Sequence, residues 1–367
     1  MDETLRRSAE SAVLACFELC SGHHGTPRCA DAALMVAHGV LADYSPSDPV
    51  YNADSVRRAV ASAAAVHVPT KLRVRAFRET TTDCVAGWAA FQALREVHFH
   101  RSSLTNAAVA ELSRLRHLES LSLTRITTVN DVTPLRHHPT LRRLDLRFTG
   151  VCEHGPSFDA IASLPELEWL DLGSMQFARH TLVRLSSGCP KLRSLALDGS
   201  NVGNNAVRWL SDIESLEFLD LRECGLISDA SPLANLRLLR ELRLANNFSL
   251  TSQPTMAALG TLPQLEYLDV SVCTQLTDLA GLGRCRALQR LNLRGTKLND
   301  DALDEFLPLA MSSPAAAPAN ASGAAAVPAP VGLRTIYVTQ CPNFAARRVE
   351  LQAALTPIEL RFGSAAA

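Results

Sequence analysis

The sequence predicts an α/β fold: a horseshoe-shaped solenoid with a parallel concave sheet and a helical cap at its N-terminal side. Three observations carry this. The phrase LEFLDLRECG at residues 216 to 225 returns as LEYLDVSVCT at residues 265 to 274. Stretches in the same register begin at Leu94, Leu118, Leu141, Leu167, Leu192, Leu216, Leu239, Leu265 and Leu288, and two further rows begin at Leu333 and Leu355. In each row the pattern L-x-x-L-x-L is apolar at all three marked places. Independent draws from a chain that is 47% apolar would fill every such place with a chance of about 10⁻¹¹.

The elements follow in chain order. Residues 1 to 68 lack the phrase and show three helical stretches, near 3 to 20, 28 to 43 and 52 to 66. They are expected to cap the first strand, because the end of a solenoid needs a polar outer cover. A degenerate row, KLRVRAF at 71 to 77, and the segment TTTDCVAGWAAF at 80 to 91 join this cap to an array of about eleven rows spanning 69 to 362. In each row the fourth and sixth places, such as Leu219 and Leu221, alternate with outward residues, the period-2 mark of a strand with one buried face. One row cannot bury that face alone. Stacked rows do, about 4.8 Å apart, and each buried Leu contributes about 1.5 to 3 kcal/mol before chain entropy is subtracted.

The ninth places (Ser102, Ile126, Thr149, Met175, Ser200, Cys224, Asn247, Cys273, Thr296 and Cys341) are mostly small and able to hydrogen-bond, which suits backbone groups where the chain leaves the strand. Next come LTN at 104 to 106, LISD at 226 to 229, LTD at 276 to 278 and LNDD at 298 to 301, read as helix or turn starts. TNAAVAELSRL (105 to 115) and NDDALDEFLPL (299 to 309) are expected to return as convex helices, TPLRHHP (133 to 139) and SPLANL (231 to 236) as tighter turns. The Ala/Pro stretch 312 to 332 accounts for a 45-residue step and predicts a disordered loop extruded between ordinary rows. The last row, LTPIELRF (355 to 362), leaves a sheet edge that Pro357 blunts by withholding a donor.

On these rows the chain resembles leucine-rich-repeat proteins, over residues 69 to 362. CPKLRSLALDGS (189 to 200) and CRALQRLNLRGT (285 to 296) resemble the cysteine-containing subtype, with Ser200 and Thr296 replacing its final Cys. The resemblance implies a protein-binding scaffold. That subtype is frequent in F-box substrate receptors of ubiquitin ligases, and repeats of this length also occur in ribonuclease-inhibitor-like scaffolds. An F-box would open with a Leu-Pro and acidic motif; the nearest stretch, 48 to 69, has helical character without it.

Composition agrees. With 36 basic and 37 acidic residues there is no charge excess to favour nucleic acid or an anionic membrane. No stretch approaches the roughly 20 apolar residues of a membrane span, and the charged start, MDETLRR, is a poor targeting signal. Cys224, Cys273 and Cys341 share one repeat place and Cys189 and Cys285 another, which predicts buried thiols and an intracellular, reducing, cytoplasmic compartment. Cys16, Cys20, His23, His24 and Cys29 have only loose metal-ligand spacing, and two small residues packing in the cap is the plainer reading of Cys16 and Cys20, so no metal or cofactor is expected. His98 and His100 share one side of a strand without a nucleophile or phosphate-loop motif, so no catalytic residue is assigned and the protein is not expected to be an enzyme.

The third, fifth and seventh places point away from the core. Acids there are Glu96, Asp145, Asp171, Asp198, Asp220, Glu241 and Asp269; bases are Arg143, Arg147, Arg222, Arg243, Arg290 and Arg294. The near-balance argues for a protein partner read by mixed charge, while the plainer view makes the fifth-place Asp repeat consensus. Alternate rows carry Trp169, Phe218 and Tyr267 at the third place, an expected aromatic line on the concave face. The expected partner-binding set is these three with Asp145, Asp171, Asp220, Asp269, Arg147, Arg222 and Arg243. The chain then serves as a monomer within a hetero-complex, as one subunit of an intracellular assembly.

Overall fold

From Leu94 to Leu293 every first, fourth and sixth row place is at most 3% exposed. The alternation read from the sequence is therefore the core of the protein. The computed structural model describes residues 71–75, 94–151, 155–177, 182–299, 302, 332–343, 347–354 and 358–362. The expected cap at 1 to 68 with its Cys/His cluster, the segment 80 to 91 and the Ala/Pro loop at 312 to 332 apart from Gly332 lie outside the described residues, as does nearly all of the return expected at 299 to 309.

The chain forms two compact units, residues 1–191 and 192–367. In the first, strands β1 (Lys71–Arg75), β2 (Glu96–His100), β3 (Ser120–Thr124), β4 (Arg143–Asp145) and β5 (Trp169–Asp171) run parallel, each beside the next. The degenerate row supplies β1, with Leu72 opposite Val97. The chain returns through α1 (Asn106–Leu112), a 3-10 turn at Thr133–Leu135, α2 (Gly155–Ala162) and α3 (Val183–Ser186). In the second, β6 (Ser194–Ala196), β7 (Phe218–Asp220), β8 (Glu241–Arg243), β9 (Tyr267–Asp269), β10 (Arg290–Asn292), β11 (Thr335–Tyr337) and β12 (Glu359–Arg361) are likewise parallel neighbours. Their returns are α4 (Asn204–Leu210), a 3-10 turn at Ser231–Asn235, α5 (Thr255–Leu259), a 3-10 turn at Leu282–Arg284 and α6 (Arg348–Ala354). The tight returns expected at 133 to 139 and 231 to 236 are thus 3-10 turns, where proline stands in the first turn and its missing N–H costs nothing. Arg290 stands opposite Thr335, so these two rows are neighbours despite the 45-residue step between their first places.

Two expectations are corrected. The last row does not start at Leu355, because Leu360 pairs with Ile336 and so holds the fourth place, two residues further on. A shift of two preserves which face each residue occupies, so the alternation alone did not reveal it. The reading of the polar residues after the strands as helix or turn starts holds for Asp229, Asp278 and Asn299, which accept the N–H groups of Ser231 (2.8 Å), Ala280 (3.1 Å) and Ala302 (2.8 Å), and is corrected for LTN at 104 to 106. Thr105 makes no side-chain cap on α1, whereas Asn106 Oδ1 accepts the backbone N–H groups of Asn130 (3.0 Å) and Asp131 (3.1 Å). Asn204 does the same for Ser228 (2.9 Å) and Asp229 (3.2 Å). These side chains act as row-to-row clamps.

Several ninth places behave as expected, although the buried Ser102 hydroxyl has no partner among the described residues. The side chains of Asn247, Cys273 and Cys341 each donate to the sixth-place carbonyl of the preceding row, at 2.8, 3.1 and 2.9 Å from Leu221, Leu244 and Leu293. Burial pushes the thiols of Cys224 and Cys273 up to about 12, so they stay protonated and serve as donors.

The eighth place was not singled out in the sequence, yet it is left-handed throughout. Arg101, Arg125, Phe148, Ser174, Gly199, Glu223, Asn246, Val272, Gly295 and Gln340 have φ between 54° and 68°. There the strand ends and turns outward. Glycine and Asn take this conformation readily, whereas a β-branched residue is strained in it. Val272→Asn is therefore expected to stabilise the protein by about 1 kcal/mol, read as a higher denaturant midpoint with unchanged slope. A lower midpoint would show that packing of the valine outweighs its backbone strain.

Candidate interaction face

The open face of each unit's sheet is built from the third, fifth and seventh row places, and its geometry begins with the fifth. The carboxylates there are committed to the chain itself. Oδ1 of Asp145, Asp171, Asp220 and Asp269 accepts the backbone N–H two residues on, from Arg147 (3.0 Å), Gly173 (2.8 Å), Arg222 (3.1 Å) and Ser271 (2.9 Å). Asn292 does the same for Arg294 at 3.2 Å. An acceptor here satisfies the N–H at the point where the strand bends towards the left-handed eighth place. Asp171, Asp220 and Asp269 are 7%, 3% and 8% exposed, far less open than an outward sheet position suggests. Burial pushes the Asp171 carboxyl up from its ordinary value.

In the first unit the second oxygen of Asp145 accepts hydrogen bonds from Ser122 (3.0 Å) and Thr124 (2.8 Å), and that of Asp171 pairs with Arg147 at 3.1 Å. Trp169 lies half-buried beside Arg143 in register. His98 and His100 stand opposite Ser122 and Thr124. Ser122 gives its hydroxyl hydrogen to Asp145.

In the second unit Phe218 and Tyr267 occupy β7 and β9, with Glu241 of β8 between them in register. That separation is about 10 Å. Both rings are half-buried under arginine: Arg243 sits 5.2 Å above Phe218 and Arg290 4.7 Å above Tyr267. The Tyr267 hydroxyl donates to Asp269 at 3.3 Å, and burial with that neighbouring acid pushes it up to about 12. Arg222 grips Asp220 at 2.7 Å, and Arg243 reaches Glu241 at 2.7 Å. In the second unit the sequence-derived aromatics are thus roofed by arginine, and in both units the fifth-place acids bond back to the chain.

A second pattern went unread in the sequence. The second row place alternates Arg and Glu, and neighbours pair: Arg95 with Glu119 and Arg142 with Glu168 in the first unit, Arg193 with Glu217 (2.8 Å) and Arg240 with Glu266 (2.7 Å) in the second. A column of like charges one strand apart would repel, so alternation removes a cost. These exposed pairs are each worth a fraction of 1 kcal/mol. Among the described residues no group of three or more His, Cys, Asp and Glu is placed to hold a metal ion, and no helix is long and apolar enough to cross a membrane.

No family model matches the sequence, and no curated protein does either. Solved structures do. The chain is similar to an internalin from Listeria monocytogenes str. 4b F2365, with a TM-score of 0.52, 18% identity, and coverage of 92% of this chain and 95% of that one. Internalin C2 of the same strain gives 0.42, 22%, 73% and 93%, and a leucine-rich-repeat protein of Leptospira interrogans gives 0.42, 18%, 75% and 74%. At these identities the likeness concerns the fold. The chain has the leucine-rich-repeat fold, an α/β solenoid of parallel strands.

Proposed function

We propose that the chain is a non-catalytic scaffold that binds a protein partner on the open face of its sheet, as one subunit of an intracellular assembly. The observation that carries this is the set of half-buried aromatics at the third row place, Phe218 and Tyr267 each covered by an arginine and Trp169 set beside one. Rings and guanidinium groups held in place lose little freedom on binding, and both are typical of interface hot spots. The inward acids support a division of labour in which the fifth place holds the turn and the third and seventh places meet the partner. Free, protonated, buried thiols support a reducing compartment.

The test is the triple substitution Trp169→Ser, Phe218→Ser and Tyr267→Ser. Partners captured by the wild-type chain are identified by mass spectrometry, and each is titrated against both proteins. Affinity is expected to fall more than tenfold, or about 1.4 kcal/mol, with circular dichroism and melting nearly unchanged because the core columns are untouched. A folded variant that binds its partner normally would remove the open face from consideration.

A further inference from the structure

On β10 and β11 and the two residues that follow each, the outward places hold Arg290, Asn292, Arg294, Thr335, Tyr337 and Thr339: two cations and no anion. Elsewhere in the second unit the outward arginines are neutralised by the chain itself. Arg222 holds Asp220 at 2.7 Å, Arg243 holds Glu241 at 2.7 Å, and Arg361 holds Glu359 at 2.9 Å. Arg290 and Arg294 have no carboxylate within 4.0 Å among the described residues. Arg290 is exposed and rests on the Tyr267 ring at 4.7 Å, while Arg294 Nε donates to Gln340 Oε1 at 3.2 Å. Neither contact cancels a charge. Both contacts orient a guanidinium, so the two groups are pre-placed with their donors unspent on acid.

We infer that Arg290 and Arg294 form an anchoring site for an acidic segment of the protein partner, an extended peptide carrying two carboxylates on one side. This rests on the open-face reading above and names the chemistry of what is bound. The two arginines are four residues apart, Arg290 at the start of β10 and Arg294 two residues past its end, at most about 13 Å along the chain, and carboxylates at matching separation on an extended peptide would meet both. Asn292 does not supply a competing charge, and its Oδ1 is already taken by the Arg294 N–H at 3.2 Å. Tyr337, opposite Asn292 on the next strand, is itself faced by Arg361 at 5.8 Å. Phosphates would also answer two guanidinium groups. The isolated pair favours a peptide, because nucleic acid is met by a continuous basic stripe, and here Glu241, Glu359 and Asp269 flank the pair on the same sheet.

Random dodecapeptides displayed on phage are selected on the immobilised full chain, and the strongest peptide is measured by fluorescence anisotropy. Asp and Glu are expected to be enriched over the input library. Affinity is expected to fall at least tenfold for Arg290→Gln/Arg294→Gln with melting unchanged, and about tenfold for wild type when salt rises from 50 to 500 mM. The salt titration stands on its own should the double variant fold poorly. Peptides without acid enrichment, undiminished binding to the double variant, or a single-stranded oligonucleotide of equal charge that binds more tightly than the peptide would each overturn the inference. Phe218→Ser separates the two readings. Peptides that lose binding to it but not to the arginine variant leave the open face standing and remove the acidic anchor. Peptides that bind both variants normally remove both.

Discussion

Replacing Gly260 with alanine is expected to destabilise the protein by about 3 kcal/mol. Gly260 follows α5, and a Cβ there would lie 2.0 Å from the carbonyl oxygen of Gly281 and 2.8 Å from its carbon. The obstacle is backbone of the next return, so no side-chain rotation relieves it. Gly281 is equally constrained, since it has φ +87° and a Cβ there would meet Ala257 Cα at 2.7 Å. Two returns thus touch main chain to main chain, and the spacing of rows 239 and 265 depends on it. Gly225 is the control. A Cβ there meets nothing within 4 Å, so Gly225→Ala is expected to shift stability by less than about 0.5 kcal/mol. Chemical denaturation of both variants measures the difference, and equal midpoints would show that the returns can separate without cost.

Asn247→Ala is expected to cost about 2 to 4 kcal/mol. Asn247 is fully buried, and its Nδ2 donates to two carbonyls, Leu221 at 2.8 Å and Leu244 at 2.7 Å. Alanine would leave both acceptors unpaired in the core, where water does not replace the lost donor. Cysteine should fall between, because Cys224 and Cys273 at the same place reach the sixth-place carbonyl of the preceding row, at 3.3 and 3.1 Å. The expected order of stability is Asn, then Cys, then Ala. A cysteine variant as stable as wild type would mean that only the bond to the preceding row matters.

The sequence by itself determined the rows, the face each residue takes and the donor role of the ninth place. Period 2 and a repeated apolar triplet are local signals, and eleven copies of one signal average out exceptions such as Val97 or Ile336. It also placed Trp169, Phe218 and Tyr267 on one side of their strands, because the alternation that buries Leu170, Leu219 and Leu268 leaves its neighbours no other side. What depends on two rows at once was decided only by the tertiary structure. Asp220 reads as an exposed acid until the bend of its own strand and the neighbouring arginines close over it. Asn106 reads as a helix cap until the next row brings two N–H groups to its oxygen. The last row slid by two residues because either register satisfies the alternation, and only pairing with β11 separates them. Arg290 and Arg294 look like any other outward base in the sequence. What distinguishes them is that the strands on either side bring no carboxylate within reach, and that is a property of neighbours in space rather than in the chain.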